Sequence, residues 1–384
     1  FLPLNMNEYM FGFLPQYCGA RMMDKVNQRI AALQPYKPGK PIDELARELG
    51  INDIVKLASN ENPLGPGQDV LDAISEASQQ LPRYPDGSGY ELKQALATQL
   101  KVDTAQITLG NGSNDVLDLI ARVAMQPGDE AIIAEHSFVV YRLAVTCCGG
   151  DLVTVPAKDF GADLDAMLAA VNERTRLVFL ANPNNPTGTW VTAAAVENFL
   201  QQVPADVWVV LDEAYFEYVE EAEYGNGLDL LSKHPNLIVT RTFSKIYGLA
   251  SVRLGFSVSS PEFADLLNRA RQPFNVNGLA MAAGLAALAD DDYVQRSRAL
   301  NREGMRQITD GLAALGYSYI PSVGNFVAFD SGRPGAEVFE QLLQQGVIVR
   351  PIAEYGLPNH VRVSIGLPIE NERFLTALAT IGQN

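Results

Sequence analysis

The feature that most constrains this chain is a set of short apolar runs of four or five residues, Ala131–Ala134, Leu177–Ala181, Val207–Leu211 and Leu237–Thr240. A strand with one wet face alternates apolar and polar residues, whereas a nearly unbroken run belongs to a strand covered on both faces. Helical periodicities, such as Val70–Gln80 and Val116–Met125, lie between the runs. Strand and helix in alternation imply an α/β core, with a mostly parallel sheet sandwiched between helices. With 384 residues, 47% of them apolar, the chain is long enough for one large or two medium domains.

The pattern changes at both ends of this core. Between Ala31 and Gly67, Pro35, Pro38, Pro41, Pro63 and Pro66 predict an extended arm, broken by one helix over Ile42–Leu49 that stops at Gly50. Beyond Pro273 come helices over Leu279–Leu288 and Val294–Leu315, then strand signals at Asn325–Phe329 and His360–Ile365 flanking a helix over Ala336–Gln345. That order suggests a smaller α+β domain joined by the N-terminal arm. The expected division is a leader or extraneous segment over 1–22, an arm over 23–61 contributing to the small domain, a large domain over 62–272 and a small C-terminal domain over 273–384. Phe1–Tyr17 is apolar but has no basic leader and contains two prolines, so it does not read as a signal peptide or a membrane span.

Charge narrows the function. Forty-five acids against 29 bases give a net charge of −16, which disfavours nucleic acid and anionic membranes as partners. An anion site in such a chain must be built locally, from a few arginines and backbone N–H groups. Cys147 and Cys148 are adjacent, a poor geometry for a disulfide, and the histidines His136, His234 and His360 have no metal-ligand spacing. A cytoplasmic protein without a metal is expected.

In open α/β sheets, ligands bind beyond the carboxyl ends of the strands, so the residues after each run are the ones to inspect. Gln106–Leu109 is followed by Gly110-Asn111-Gly112-Ser113-Asn114 and a helix, an arrangement that can present N–H groups to a phosphate, although Ser113 or Asn114 can equally serve as a cap. Leu177–Ala181 ends in Asn182-Pro183-Asn184-Asn185-Pro186-Thr187-Gly188, which a turn alone explains. Val207–Leu211 ends in Asp212-Glu213-Ala214-Tyr215. A carboxylate there needs a partner, whether a cationic ligand nitrogen, a helix end or a buried ion pair. Leu237–Thr240 ends in Arg241-Thr242-Phe243-Ser244-Lys245, which places an amine at the same edge.

Together these motifs, with Arg253 following, resemble the pyridoxal-phosphate enzymes of the aspartate aminotransferase fold. Asn60-Glu61-Asn62-Pro63-Leu64-Gly65, Arg83-Tyr84-Pro85 and Thr242-Phe243-Ser244-Lys245-Ile246-Tyr247-Gly248-Leu249-Ala250 resemble the histidinol-phosphate aminotransferase family more closely, from about Gln28 to the C-terminus. The resemblance implies fold type I, in which a large domain with a mostly parallel seven-stranded sheet between helices carries a smaller α+β domain. It implies pyridoxal 5'-phosphate as cofactor, Lys245 as its Schiff-base lysine, Asp212 as partner of its ring nitrogen, Asn185 and Tyr215 on its phenolic oxygen and Phe138 against its ring. Lys245, Asp212 and Tyr215 are the catalytic set. The phosphate falls to the N–H groups of Gly112, Ser113 and Asn114, the Ser244 hydroxyl and Arg253. A homodimer with shared active sites follows, with Tyr84 reaching the neighbouring subunit's phosphate. Two departures from the family pattern touch the phosphate loop: Asn114 stands where an acid is common, and Ser251-Val252 where glycine-leucine is frequent.

The implied reaction moves an amino group between L-histidinol phosphate and 2-oxoglutarate, in histidine biosynthesis. Arg350 and Arg362 are the candidates for binding its anions, since guanidinium forks suit phosphate and carboxylate alike; Tyr36 and Asn325 are candidates for lining the pocket. Two rivals share the fold and cofactor, an aromatic amino acid aminotransferase and a lyase resembling threonine-phosphate decarboxylase. A cofactor-binding regulator would need an added helix-turn-helix module, for which the short acidic N-terminal region has no room.

Overall fold

The computed structural model describes residues 25–35, 39–51 and 53–382. Tyr36 and the segment 1–22 lie outside the described residues. Residues 25–35 belong to one compact unit and residues 39–382 to another. The first holds α1 (Gln28–Ala31), whose leading N–H groups at Arg29 and Ile30 bond to the Asn27 side chain.

The second unit opens with α2 (Ile42–Leu49), β1 (Val55–Lys56), α3 (Gln68–Ser78), α4 (Tyr90–Leu100), β2 (Ile107–Gly110) and α5 (Ser113–Ala124). It continues through β3 (Glu130–Ala134), α6 (Val139–Cys147), β4 (Asp151–Val155), α7 (Leu164–Ala169), β5 (Thr175–Ala181), α8 (Ala193–Gln202), β6 (Trp208–Asp212), β7 (Leu237–Thr242) and β8 (Gly255–Val258). After α9 (Pro261–Ala270), α10 (Gly278–Leu288) and α11 (Asp291–Ala314) come β9 (Tyr319–Ile320), β10 (Phe326–Asp330), α12 (Gly335–Gln344), β11 (Val347–Ile348), β12 (Arg350–Pro351), β13 (His360–Ser364) and α13 (Pro368–Gly382).

The main sheet has seven strands in the order β2-β8-β7-β6-β5-β3-β4. All neighbouring pairs are parallel except those of β8, which runs antiparallel to both β7 and β2. The expected mostly parallel seven-stranded sheet is therefore present, and the unbroken apolar runs have the expected cause. Ile132, Val178, Leu180, Val209, Leu211 and Val239 pack on one side with residues of α4, α8 and α10. Their sequence neighbours Ile133, Leu177, Phe179, Val210 and Ile238 pack on the other with α5, α6 and α9. Each fully buried side chain of this size contributes about 1.5–3 kcal/mol, so both faces of a central strand demand apolar residues.

The second sheet is antiparallel, in the order β12-β13-β10-β9. Val327, Phe329, Val361 and Val363 turn one face onto α11 and α13. The cross-strand pairs Phe326↔Ser364, Ala328↔Arg362 and Arg350↔Arg362 place the remaining set on the opposite face. Among the described residues between Ala31 and Gly67, the expected helix Ile42–Leu49 is present and stops at Gly50, which is left-handed with φ 68°; the two-residue strand β1 is an addition. Val55 and Lys56 pair in parallel with Val347 and Ile348; Val55 joins Val347 in the core of the small sheet, while Lys56 pairs with Glu61.

Candidate active site

The carboxyl ends of β2, β3, β5, β6 and β7 share one edge of the main sheet, and the register puts Ala181 beside Asp212 and Asp212 beside Thr240. The motifs that follow Gln106–Leu109 and the apolar runs Leu177–Ala181, Val207–Leu211 and Leu237–Thr240 all leave the sheet at this edge. Successive residues of a strand face opposite ways, so Asp212, two residues after Val210, points to the α5/α6 side. There it meets Tyr141, whose hydroxyl donates to Oδ2 at 2.7 Å, and Thr240, whose hydroxyl donates to Oδ1 at 3.1 Å. Burial pushes the Asp212 carboxyl above the usual carboxylate range, while Tyr141, Thr240 and the Ala214 N–H pull it back. Of the open alternatives for Asp212, neither a cap nor an ion pair is realised; the buried ion pair is made one residue on, by Glu213 with Arg241.

Lys245 follows β7. Its Nζ donates to the carbonyls of Ser59 at 3.2 Å and Asn60 at 3.3 Å, and stands 5.6 Å from the centre of the Tyr215 ring. Loss of water around the amine lowers its pKa to about 7, helped by the guanidinium groups of Arg362 and Arg253 and opposed by Glu61. Such an amine is about half neutral at pH 7.

The Tyr215 hydroxyl accepts from Asn60 Nδ2 at 2.9 Å. Asn60 is buried in the left-handed conformation, φ 54°, which asparagine tolerates; its N–H bonds to the Ser364 hydroxyl at 2.8 Å. Asn325 donates to the Asn60 carbonyl at 3.0 Å, so the loop carrying the lysine's acceptors is pinned from β10. Asn185 Oδ1 accepts from Arg362 Nη1 at 2.5 Å, and Arg362 Nη2 donates to the Ala58 carbonyl at 2.8 Å. Arg350 shares its face of the small sheet and is held by Glu354 at 2.5 Å. Phe138, partly buried, caps the start of α6 and meets Tyr141 edge-on.

At the end of β2, neither Ser113 nor Asn114 caps the helix. The N-cap of α5 is Gly112, with φ 85°, and no side chain bonds the leading N–H groups. A Cβ at Gly112 would lie 2.4 Å from Arg253 Nη2, so only glycine lets the guanidinium lie this close. Arg253 also donates to Ser244 Oγ at 3.4 Å and to the Ala250 carbonyl at 3.0 Å. Ser113, Ser244 and Arg253 thus converge as N–H, hydroxyl and guanidinium donors around a helix N-terminus, beside Gly112, whose own N–H donates to the Gly110 carbonyl at 2.8 Å. Tyr84 stands apart, 82% exposed and stacked on Phe274 at 4.7 Å. Sequence reasoning gave no role to Tyr141, Thr240 or Asn60. Asn60 lay inside a quoted motif, whereas nothing in the sequence marks Tyr141 and Thr240 as partners of Asp212.

The sequence profile described as aminotransferase class I and II matches residues 52–378, and the chain belongs to that family. Histidinol-phosphate aminotransferase 2 of Pseudomonas aeruginosa is 59% identical over 92% of this chain and 96% of its own. Histidinol-phosphate aminotransferase of Methylobacillus flagellatus is 53% identical over 94% of this chain and 98% of its own. Among solved structures, histidinol-phosphate aminotransferase from Sinorhizobium meliloti in complex with pyridoxal-5'-phosphate superposes with a TM-score of 0.85 at 32% identity, covering 94% of this chain and 98% of that one.

Proposed function

We propose that this chain uses pyridoxal 5'-phosphate to move the amino group of L-histidinol phosphate to 2-oxoglutarate, giving imidazole acetol phosphate and L-glutamate, in histidine biosynthesis. The observation that carries the reading is the juxtaposition, at neighbouring strand ends, of a desolvated carboxyl on Asp212 and an amine on Lys245 lowered to about 7. Relatives at 50–59% identity that carry the name support the choice of donor.

The donor set suits this cofactor. A phosphate dianion fits the uncapped N–H groups of Ser113 and Asn114 with Ser244 and Arg253, while the Gly112 N–H, the third group expected there, donates to the Gly110 carbonyl at 2.8 Å and would have to turn from it. A protonated ring nitrogen fits the Asp212 carboxylate, a phenolic oxygen fits Tyr215 and Asn185, and Phe138 would cover one ring face. When bound, pyridoxal phosphate supplies an aldehyde for the substrate amine and a ring that accepts electrons. Lys245, once free, takes the proton from the substrate Cα; an amine near neutrality is matched to that task. Asp212 holds the positive charge at the ring nitrogen, and Tyr141 and Thr240 hold Asp212. Tyr215 is kept in place by Asn60. Arg350 and Arg362 bind the donor's phosphate and the acceptor's carboxylate, with Asn325 lining the pocket.

The same reading makes the enzyme a cytoplasmic homodimer, in which the exposed Tyr84 reaches the neighbouring subunit's phosphate site. Among the described residues, no helix is long and apolar enough to cross a membrane. The test is a substrate panel on enzyme loaded with pyridoxal phosphate. Amino transfer from histidinol phosphate to 2-oxoglutarate with kcat/KM well above that for phenylalanine or tyrosine supports the proposal. The reverse order, or carbon dioxide release without consumption of the keto acid, refutes it.

A further inference from the structure

Asp212 and Glu213 are consecutive and project to opposite sides of the sheet. While Asp212 faces Tyr141, Glu213 accepts from Arg241 at 3.0 and 2.7 Å on the side covered by α4, α10 and α11. Behind this pair lies a cavity of about 470 Å³, bounded by α4, the turn at Phe216–Tyr218, β7, β8 and the start of α11. No residue assigned to amino transfer lines it.

Phe216, Tyr247 and Phe256 give the walls three aromatic rings. The Glu217 side chain contributes a carboxyl that is 9% exposed and receives only its own backbone N–H. Burial pushes that carboxyl up to about 7, against the pull of Arg241, its own backbone N–H and Arg298. Arg241 is already committed, to Glu213, to Asn226 at 2.8 Å and to the face of Phe216 at 3.6 Å. Arg298 Nε donates to the backbone carbonyl of Glu217. The lining holds three carboxyls, Glu217, Asp229 and Asp291, and three cations, Lys101, Arg241 and Arg298; because Arg241 is shared with Glu213 behind the wall, the carboxyls of this cluster outnumber its cations by one.

We infer that this cavity is an effector site for an organic monocation with an apolar or aromatic body, its charge against Glu217 and its body against the three rings. A buried carboxyl gains most from a cation, aromatic walls favour substituted ammonium groups, and the chain's charge of −16 concentrates cations at its surface. The walls are also continuous with the active site. Glu217 lies two residues after Tyr215, Tyr247 two after Lys245, and Arg241 directly follows Thr240, which holds Asp212. An occupant that draws on Glu217 shifts these supports, so binding changes the rate of transfer. The inference does not depend on which amine the enzyme transfers.

The test uses loaded enzyme and benzyltrimethylammonium, which has no N–H and cannot act as an amino donor. Calorimetry should give one saturable site per subunit, unaffected by saturating amino donor, while benzenesulfonate at equal ionic strength gives none. Occupancy should change kcat by about twofold or more, a coupling of ~0.4 kcal/mol. Glu217→Gln should weaken binding about tenfold, equivalent to ~1.4 kcal/mol, and Asp229→Asn at the exposed mouth about threefold. Val294→Trp, which fills the cavity, should abolish binding. Should Glu217→Gln fail to fold, the other two variants decide the matter. Absence of saturable heat, competition with the amino donor, affinities unchanged by these substitutions, or an unaltered kcat at saturation would overturn the inference.

Discussion

Tyr141→Phe removes a single oxygen from the support of Asp212. The phenol donates to Oδ2 at 2.7 Å in a buried setting, and a hydrogen bond to a charged partner contributes about 1.5–3 kcal/mol. The ring itself stays anchored, stacked on Phe179 with centroids 4.6 Å apart, so the variant should fold and still bind the cofactor. The lost bond favours the carboxylate over the acid, and its removal therefore raises the Asp212 pKa further. The same energy is lost from the charge that Asp212 offers the ring nitrogen. Expressed in rate, kcat/KM for amino transfer should fall about 10- to 100-fold. Thr240 and the Ala214 N–H continue to hold the carboxyl, which sets the upper limit on the loss. Stopped-flow measurement of the first half-reaction gives the rate, and a pH titration of the bound cofactor's absorbance gives the shift. A kcat/KM within threefold of the unmodified enzyme, with no displaced titration, would refute the assignment of Tyr141 to Asp212.

Three further outcomes follow from the same geometry. Lys245 reacts as the neutral amine, so capture of pyridoxal phosphate by the apoenzyme should accelerate as pH rises through about 7 and level off above; Arg362→Gln removes a neighbouring cation and should move that midpoint upward, and a midpoint near 10 in the unmodified enzyme would contradict the account. Glu213→Ala strands Arg241 in the interior without its anion and should cost about 3–5 kcal/mol in urea unfolding; a loss below 1 kcal/mol would show the pair to be dispensable. Gly112→Ala must accommodate φ 85° and a Cβ against Arg253, a strain of about 1–3 kcal/mol, and equilibrium dialysis should show pyridoxal phosphate bound about tenfold or more weakly.

Much of this site was legible because its chemistry sits where apolar runs stop. Four runs announced β3, β5, β6 and β7, and the residues after them form one edge of the sheet because parallel strands align their carboxyl ends. The alternating Gly255–Val258 segment was not singled out, since β8 is antiparallel and mixes serine with apolar residues. α4 and α6 were also passed over. The tyrosine of α6 that grips Asp212 has no periodic signature, and its partner lies 71 residues away. Asn60 bonds to Tyr215 across 155 residues and to Ser364 across 304. Contacts of that span arise only when the sheets are assembled, whereas a strand end is written locally. Arg350 shows the converse, since its place on the same sheet face as Arg362 depends on the pairing of β12 with β13.

The central claim is that the Lys245 amine is the point of attachment for the cofactor. Apoenzyme incubated with pyridoxal phosphate at pH 8, reduced with borohydride and digested should yield one modified peptide, carrying the pyridoxyl mass on Lys245, and Lys245→Ala should yield none. Modification distributed over exposed lysines such as Lys101 and Lys233, or a Lys245→Ala enzyme trapped to the same extent, would contradict it.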